Sequence, residues 1–198
     1  EIIYSVCKKV LGGDTFYSIA QQYIIEDTEG LSDLNHYGES FNLHLKSLLE
    51  AGRLSEDYGY LSDLASLEYK IHAAYYANTD PVFPFKLFEK KVNNNQQVVF
   101  KISFALGLIA STYPVYEIWK SNKEKQSVEE IKPIEGKQYL LVYRNEYKPS
   151  IVVINKDQYR VVKAIVNSFS LQKIINTICD THNILPDLIS NKWVVGIK

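Results

Sequence analysis

Apolar positions in the first part of the chain recur every three to four residues, the spacing that puts them on one face of a helix. Ile2 to Leu11 reads as the end of a helix, with Gly12-Gly13 as its stop. Asp14 opens a second helix to about Tyr23, with Phe16, Ile19 and Ala20 inward. Residues 25–35 form an acidic loop. Tyr37 to Leu49 is a third helix, with Phe41, Leu45, Leu48 and Leu49 apolar, and Ala51-Gly52 ends it. Ser55 caps a long fourth helix to about Ala77, on which Leu61, Leu64, Leu67, Ile71, Ala74 and Tyr75 recur. Asn78-Thr79-Asp80-Pro81 stops that helix, because proline disfavours α geometry in the residue before it. Residues 1–92 are therefore expected to form an all-α helical domain.

The pattern then changes. Pro81 to Gln97 holds two prolines and the polar run Asn93-Asn94-Asn95-Gln96-Gln97, and reads as a linker. Val98 to Phe104 predicts a strand. Tyr113 to about Asn122 predicts a short helix, with Pro114 in the first turn, where its missing N–H costs nothing. A charged connector follows over residues 121–137, so 93–136 is a connecting segment. Two strands, 138–144 and 150–154, are joined by a polar turn and predict a hairpin. Asn155 caps a helix with Tyr159, Val162, Ile165 and Val166 inward. Ser170 caps another over 171–182, with Leu171, Ile174, Ile175 and Ile178 inward. Asp187 to Lys192 leads to a last strand over 193–197. The order over 137–198 is β-β-α-α-(loop or short helix)-β, a small α+β domain ordered like a winged-helix module.

One polar residue breaks the apolar stripe of the fourth helix. Glu68 follows Leu67 and falls on the side of Leu64 and Ile71. A carboxylate there needs a partner or a job. The expected partner is a buried donor, with His72, Tyr113 and Trp119 as candidates. Glu68 and His72 stand at i, i+4, but no third ligand has metal-site spacing, so a packed hydrogen bond is the better reading.

These residues carry a resemblance. Asp63-Leu64-Ala65, Leu67-Glu68, Ala74-Tyr75 and the acidic turn at Asp80 are followed by Ser111-Thr112-Tyr113-Pro114 and Ile118-Trp119. With Asn35-His36-Tyr37-Gly38 and Phe41, this resembles the bacterial family named for a DNA-binding domain that contains the HvfC/BufC accessory proteins. Relatives of the methanobactin-biosynthesis partner protein belong to it too. The resemblance implies two domains, a cytoplasmic location and no membrane contact. It also implies an accessory role without catalytic residues or cofactor. The partners would be a metal-dependent peptide-modifying enzyme and its small Cys-containing precursor peptide. Glu68, His72, Tyr75, Tyr113 and Trp119 are the candidates for partner binding or a domain junction. The family carries further helices before the segment matching Ser5 to Leu11, so the resemblance implies a chain incomplete at its N-terminus.

Composition narrows the choice. The chain has 198 residues, 46% hydrophobic and 23% charged, an ordinary globular balance. No apolar run reaches membrane-spanning length. Cys7 and Cys179 lie far apart and form no CxxC, which favours buried reduced thiols. No nucleophile–base pair, phosphate loop or zinc-protease motif is present. Fifteen Tyr suit interfaces or internal packing.

Charge is uneven. Residues 1–97 carry a net −6 and residues 98–198 a net +5. The alternative function, DNA-binding regulation through the C-terminal module, would use Arg160, Lys163, Lys173 and Lys192. Helix 171–182 has Lys173 offset by Asp180, which is little charge for phosphate contacts.

Overall fold

The computed structural model describes residues 3–26, 38–124, 132–178 and 181–198. The readings of Asn35, His36, Tyr37, Cys179, Asp180, most of the acidic loop and residues 125–131 lie outside the described residues. The protein is mixed α/β. In chain order its elements are α1 (Ser5–Leu11), α2 (Gly13–Glu26), α3 (Phe41–Glu50), α4 (Leu61–Tyr76), α5 (Phe85–Asn93), β1 (Phe100–Ile102), β2 (Gly107–Ser111), α6 (Val115–Lys123), β3 (Gln138–Asn145), β4 (Lys148–Ile154), α7 (Lys156–Val166), α8 (Leu171–Thr177), α9 (Thr181–Ser190) and β5 (Val194–Ile197). Two compact units emerge, Glu1–His72 with Ile109–Gln138 and Ala73–Leu108 with Tyr139–Lys198. Among the described residues no helix is long and apolar enough to cross a membrane.

In the first unit, Phe41, His44, Leu45 and Leu48 bury one stripe of α3. The rings of Tyr4, Phe16 and Tyr23 lie 4.7, 5.9 and 5.3 Å from that of Phe41. Leu61, Leu64, Ala65 and Leu67 of α4 are fully buried, and each such Leu contributes about 1.5–3 kcal/mol of apolar burial. On α6, Val115 and Ile118 turn inward. Lys123 Nζ donates to Ser5 Oγ at 2.7 Å, and Lys9 Nζ to the Asn122 carbonyl at 3.0 Å, tying α6 to α1.

The second unit has its own core. Phe83, Phe100, Leu141, Val161, Ile174, Leu188 and Trp193 are among its buried members. Antiparallel β1 and β5 pair Phe100 with Ile197 and Lys101 with Gly196, with an irregularity after Lys101. The other sheet has the order β2-β3-β4. β3 and β4 form the expected hairpin, in register from Tyr139–Ile154 to Asn145–Lys148. Glu146 in its turn takes φ 54°, a left-handed conformation. Asn155 and Gln158 close a reciprocal capping box on α7, and Ser170 caps α8, both at the expected positions.

Several boundaries differ from the sequence expectation. The expected linker 81–97 contains α5, whose Phe85, Phe88 and Val92 repeat at helical spacing. Ser55 caps a single 3-10 turn over Glu56–Tyr58 instead of α4, which starts at Leu61. The third helix begins at Phe41, since Gly38 at φ 93° turns the chain just before it. Pro114 precedes α6 rather than sitting inside its first turn. β1 is shorter than 98–104, and β2 was not expected at all. The single helix 171–182 is two: Ile178 is extended at φ −126°, ψ 125°, and α9 runs on through Pro186 where a loop or short helix was read.

Candidate functional site

Glu68 is buried, at 3% exposure, as its place on the stripe predicts. Its partners are not the expected ones. Oε1 accepts the Val6 amide at 2.9 Å and the Ser5 hydroxyl at 3.3 Å, and Oε2 accepts the Cys7 amide at 2.9 Å. These are donors of the first turn of α1, whose own N-cap position, Tyr4, supplies no side-chain acceptor. Glu68 therefore caps α1 from another helix, and its charge faces the positive end of that helix. Burial raises the Glu68 carboxyl above its ordinary range, against the pull of the Cys7 and Val6 amides, the Cys7 thiol and Lys123. Burial, and then Glu68 itself, push the Cys7 thiol well up. A thiol held protonated in this way is a poor nucleophile.

The other candidates are dispersed. His72 is partly buried, burial lowers its pKa, and its ring lies 6.5 Å from that of Tyr69. The Tyr113 ring stands 6.1 Å from Tyr60, with its hydroxyl close against Gly59. Trp119 is half-buried under Lys123, whose Nζ is 6.0 Å from the ring centre. Tyr75 belongs to the second unit, is 54% exposed and packs edge-on to Tyr76.

Tyr75 lines a groove of about 780 Å³ with Thr79, Arg144, Glu146 and Tyr147. Arg144 is one of its lining residues. Its guanidinium donates to the carbonyls of Ala77 at 2.5 Å and Asn78 at 3.0 Å, and more weakly to Tyr75 at 3.5 Å. Tyr75 lies in the last turn of α4 and Ala77 and Asn78 follow it directly, so the cation sits at the negative C-terminal end of that helix. Sequence reasoning missed this residue, because nothing in the local pattern of β3 points to a helix end.

β4 stands at the end of the β2-β3-β4 order, so one of its edges has no partner strand among the described residues. Its side chains are mostly half-buried, and Val153 is 53% exposed. Lys148 and Pro149, two residues that blunt sheet edges, occupy only its first positions.

The four cations weighed for DNA are largely engaged nearby. Arg160 pairs with Asp157 at 3.2 Å and reaches the Thr177 carbonyl at 3.4 Å. Lys163 lies 5.7 Å from the Tyr159 ring centre and Lys173 only 3.6 Å from that of Phe169. Lys192 follows α9 in a left-handed turn at φ 59°. Among the described residues, no group of three or more His, Cys, Asp or Glu could hold a metal ion. No family model matches this chain, and no curated protein matches it.

Proposed function

We propose that this chain is a non-catalytic accessory protein of the cytoplasm that takes an extended peptide along the open edge of β4. The peptide is the leader of a small Cys-containing precursor, and the partner is a metal-dependent enzyme that modifies it. The α+β module ordered like a winged helix would serve here as a peptide clamp. The observation that carries the reading is the position of β4: seven residues at the end of their sheet, with β-branched side chains from Ile151 to Ile154. An added strand would gain main-chain hydrogen bonds along that edge and side-chain contacts at alternate residues. The resemblance of Leu67-Glu68, Ala74-Tyr75 and Tyr113-Pro114 through Trp119 to the accessory-protein family supplies the partner class. The test is amide hydrogen exchange of the protein with and without the leader of a precursor encoded beside it. Protection of the amides of Ser150 to Ile154 is expected. Protection confined to α7 and α8 on addition of duplex DNA, with no response of β4 to peptide, would favour the regulator.

A further inference from the structure

Three large apolar side chains stand out from one corner of the second unit. Val82, Phe85 and Phe104 are 90%, 62% and 63% exposed. Their backbone is held. Asp80 accepts the Phe104 amide at 2.8 Å and the Ser103 hydroxyl at 2.6 Å, which ties the turn bearing Phe104 to the segment bearing Val82. Val82 lies between Pro81 and the buried Phe83, whose ring is 4.8 Å from Phe85, 5.8 Å from Phe88 and 6.5 Å from Phe100. A single exposed apolar residue is ordinary; three fixed at one corner mark a contact surface.

Charge says what kind. Lys86 and Lys90 are exposed one turn apart on α5, and Lys101 is exposed on β1 with its stem across Gly196. Against these stand Glu89 and Asp80, the latter with both oxygens engaged. We propose that this corner docks an acidic amphipathic helix of a partner protein. The two Phe and Val82 would enter its apolar stripe, and Lys86, Lys90 and Lys101 would meet its Asp and Glu flanks. Because proline and the Asp80 bonds already fix the backbone, little ordering cost attends binding. This surface goes beyond the β4 reading, and neither depends on the other.

The probe is a labelled synthetic helix of roughly 18 residues, Leu on one face and Glu on the flanks, with a matched peptide carrying Lys for Glu. Fluorescence anisotropy should show the Glu peptide binding at least about tenfold tighter, a difference set by the lysine rim. Phe85→Ser with Phe104→Ser should weaken it on the order of 30-fold, the loss of buried aromatic anchors. Lys86→Glu with Lys101→Glu should reverse the preference between the peptides. Equal binding of both peptides, or binding indifferent to the Phe changes, overturns the proposal. Sedimentation velocity of the protein alone, and flotation with phosphatidylserine–phosphatidylcholine vesicles, complete the test. Self-association or vesicle binding abolished by the same Phe changes would assign the corner to a second copy or to a membrane surface and would equally overturn it.

Discussion

At Glu68 a carboxylate does for α1 what a neighbouring Ser or Asp does for most helices. Removing it strands two buried amides, those of Val6 and Cys7. Glu68→Ala should cost on the order of 2 kcal/mol in denaturant unfolding. The charge gives a second handle. Burial raises the folded pKa of Glu68, so the native state holds this proton more tightly than the unfolded chain. Its contribution is complete below the unfolded value of about 4.3. It is lost as pH rises through the higher folded value. Glu68→Gln cannot take up the proton, so the native protein should gain on this variant as pH falls from neutral, while Asp63 and other groups cancel in the comparison. A difference that stays flat with pH would show that Glu68 binds its proton equally in the folded and unfolded chain, with no raised pKa. Gly59 is a second residue with a defined test. Its backbone is ordinary, but a Cβ there would lie 2.3 Å from the Tyr113 hydroxyl oxygen. Gly59→Ala should destabilise by about 1–3 kcal/mol through overpacking, and adding Tyr113→Phe should recover much of that in thermal melts.

Among the elements, those with local signals were legible and those made by tertiary contacts were not. The β3–β4 hairpin and the starts of α7 and α8 follow from alternation and caps that lie in the adjacent sequence. α5 was hidden by its neighbours: two prolines before it and an amide-rich run after it masked a short Phe85, Phe88, Val92 repeat. α9 was hidden by Pro186, which the helix tolerates despite the missing amide. The burial of Glu68 was legible in its register on α4, but its partners were not, because α1 meets α4 only in the fold. The hairpin was legible, but which of its strands keeps an open edge was not, since the strand order is set by tertiary pairing. That edge has a specific test. Along a strand, successive amides point alternately inward and outward, so Ile151→Pro and Val152→Pro must differ. One breaks the ladder with β3 and should lower the melting temperature. The other removes only an outward amide, should leave stability nearly unchanged, and should still abolish leader binding. Binding that survives in the stable variant would exclude the edge as the peptide site.

For the whole molecule, the mixed α/β class was legible in the change from helical to alternating spacing near residue 98, and the charge asymmetry separates the two functional readings. Residues 98–198 carry the positive excess, as a regulator requires. Yet Arg160 is paired with Asp157, and Lys163 and Lys173 lie on aromatic rings of their own unit. Releasing those contacts to reach phosphate would offset part of the gain. Strand addition at β4 makes no such demand, because it exchanges main-chain hydrogen bonds with water for main-chain hydrogen bonds with peptide, and releases few counterions. Leader affinity measured by anisotropy should therefore change little across a salt series. Duplex DNA held through Arg160, Lys163, Lys173 and Lys192 should instead weaken with a log–log slope of about −3.6, four phosphate contacts at roughly 0.9 each. Charge reversal at Lys173 and Lys192 would then cut that slope about in half while leaving peptide binding unchanged. Submicromolar, sequence-selective DNA binding at physiological salt, lost on that reversal, would make the regulator the better account of this chain.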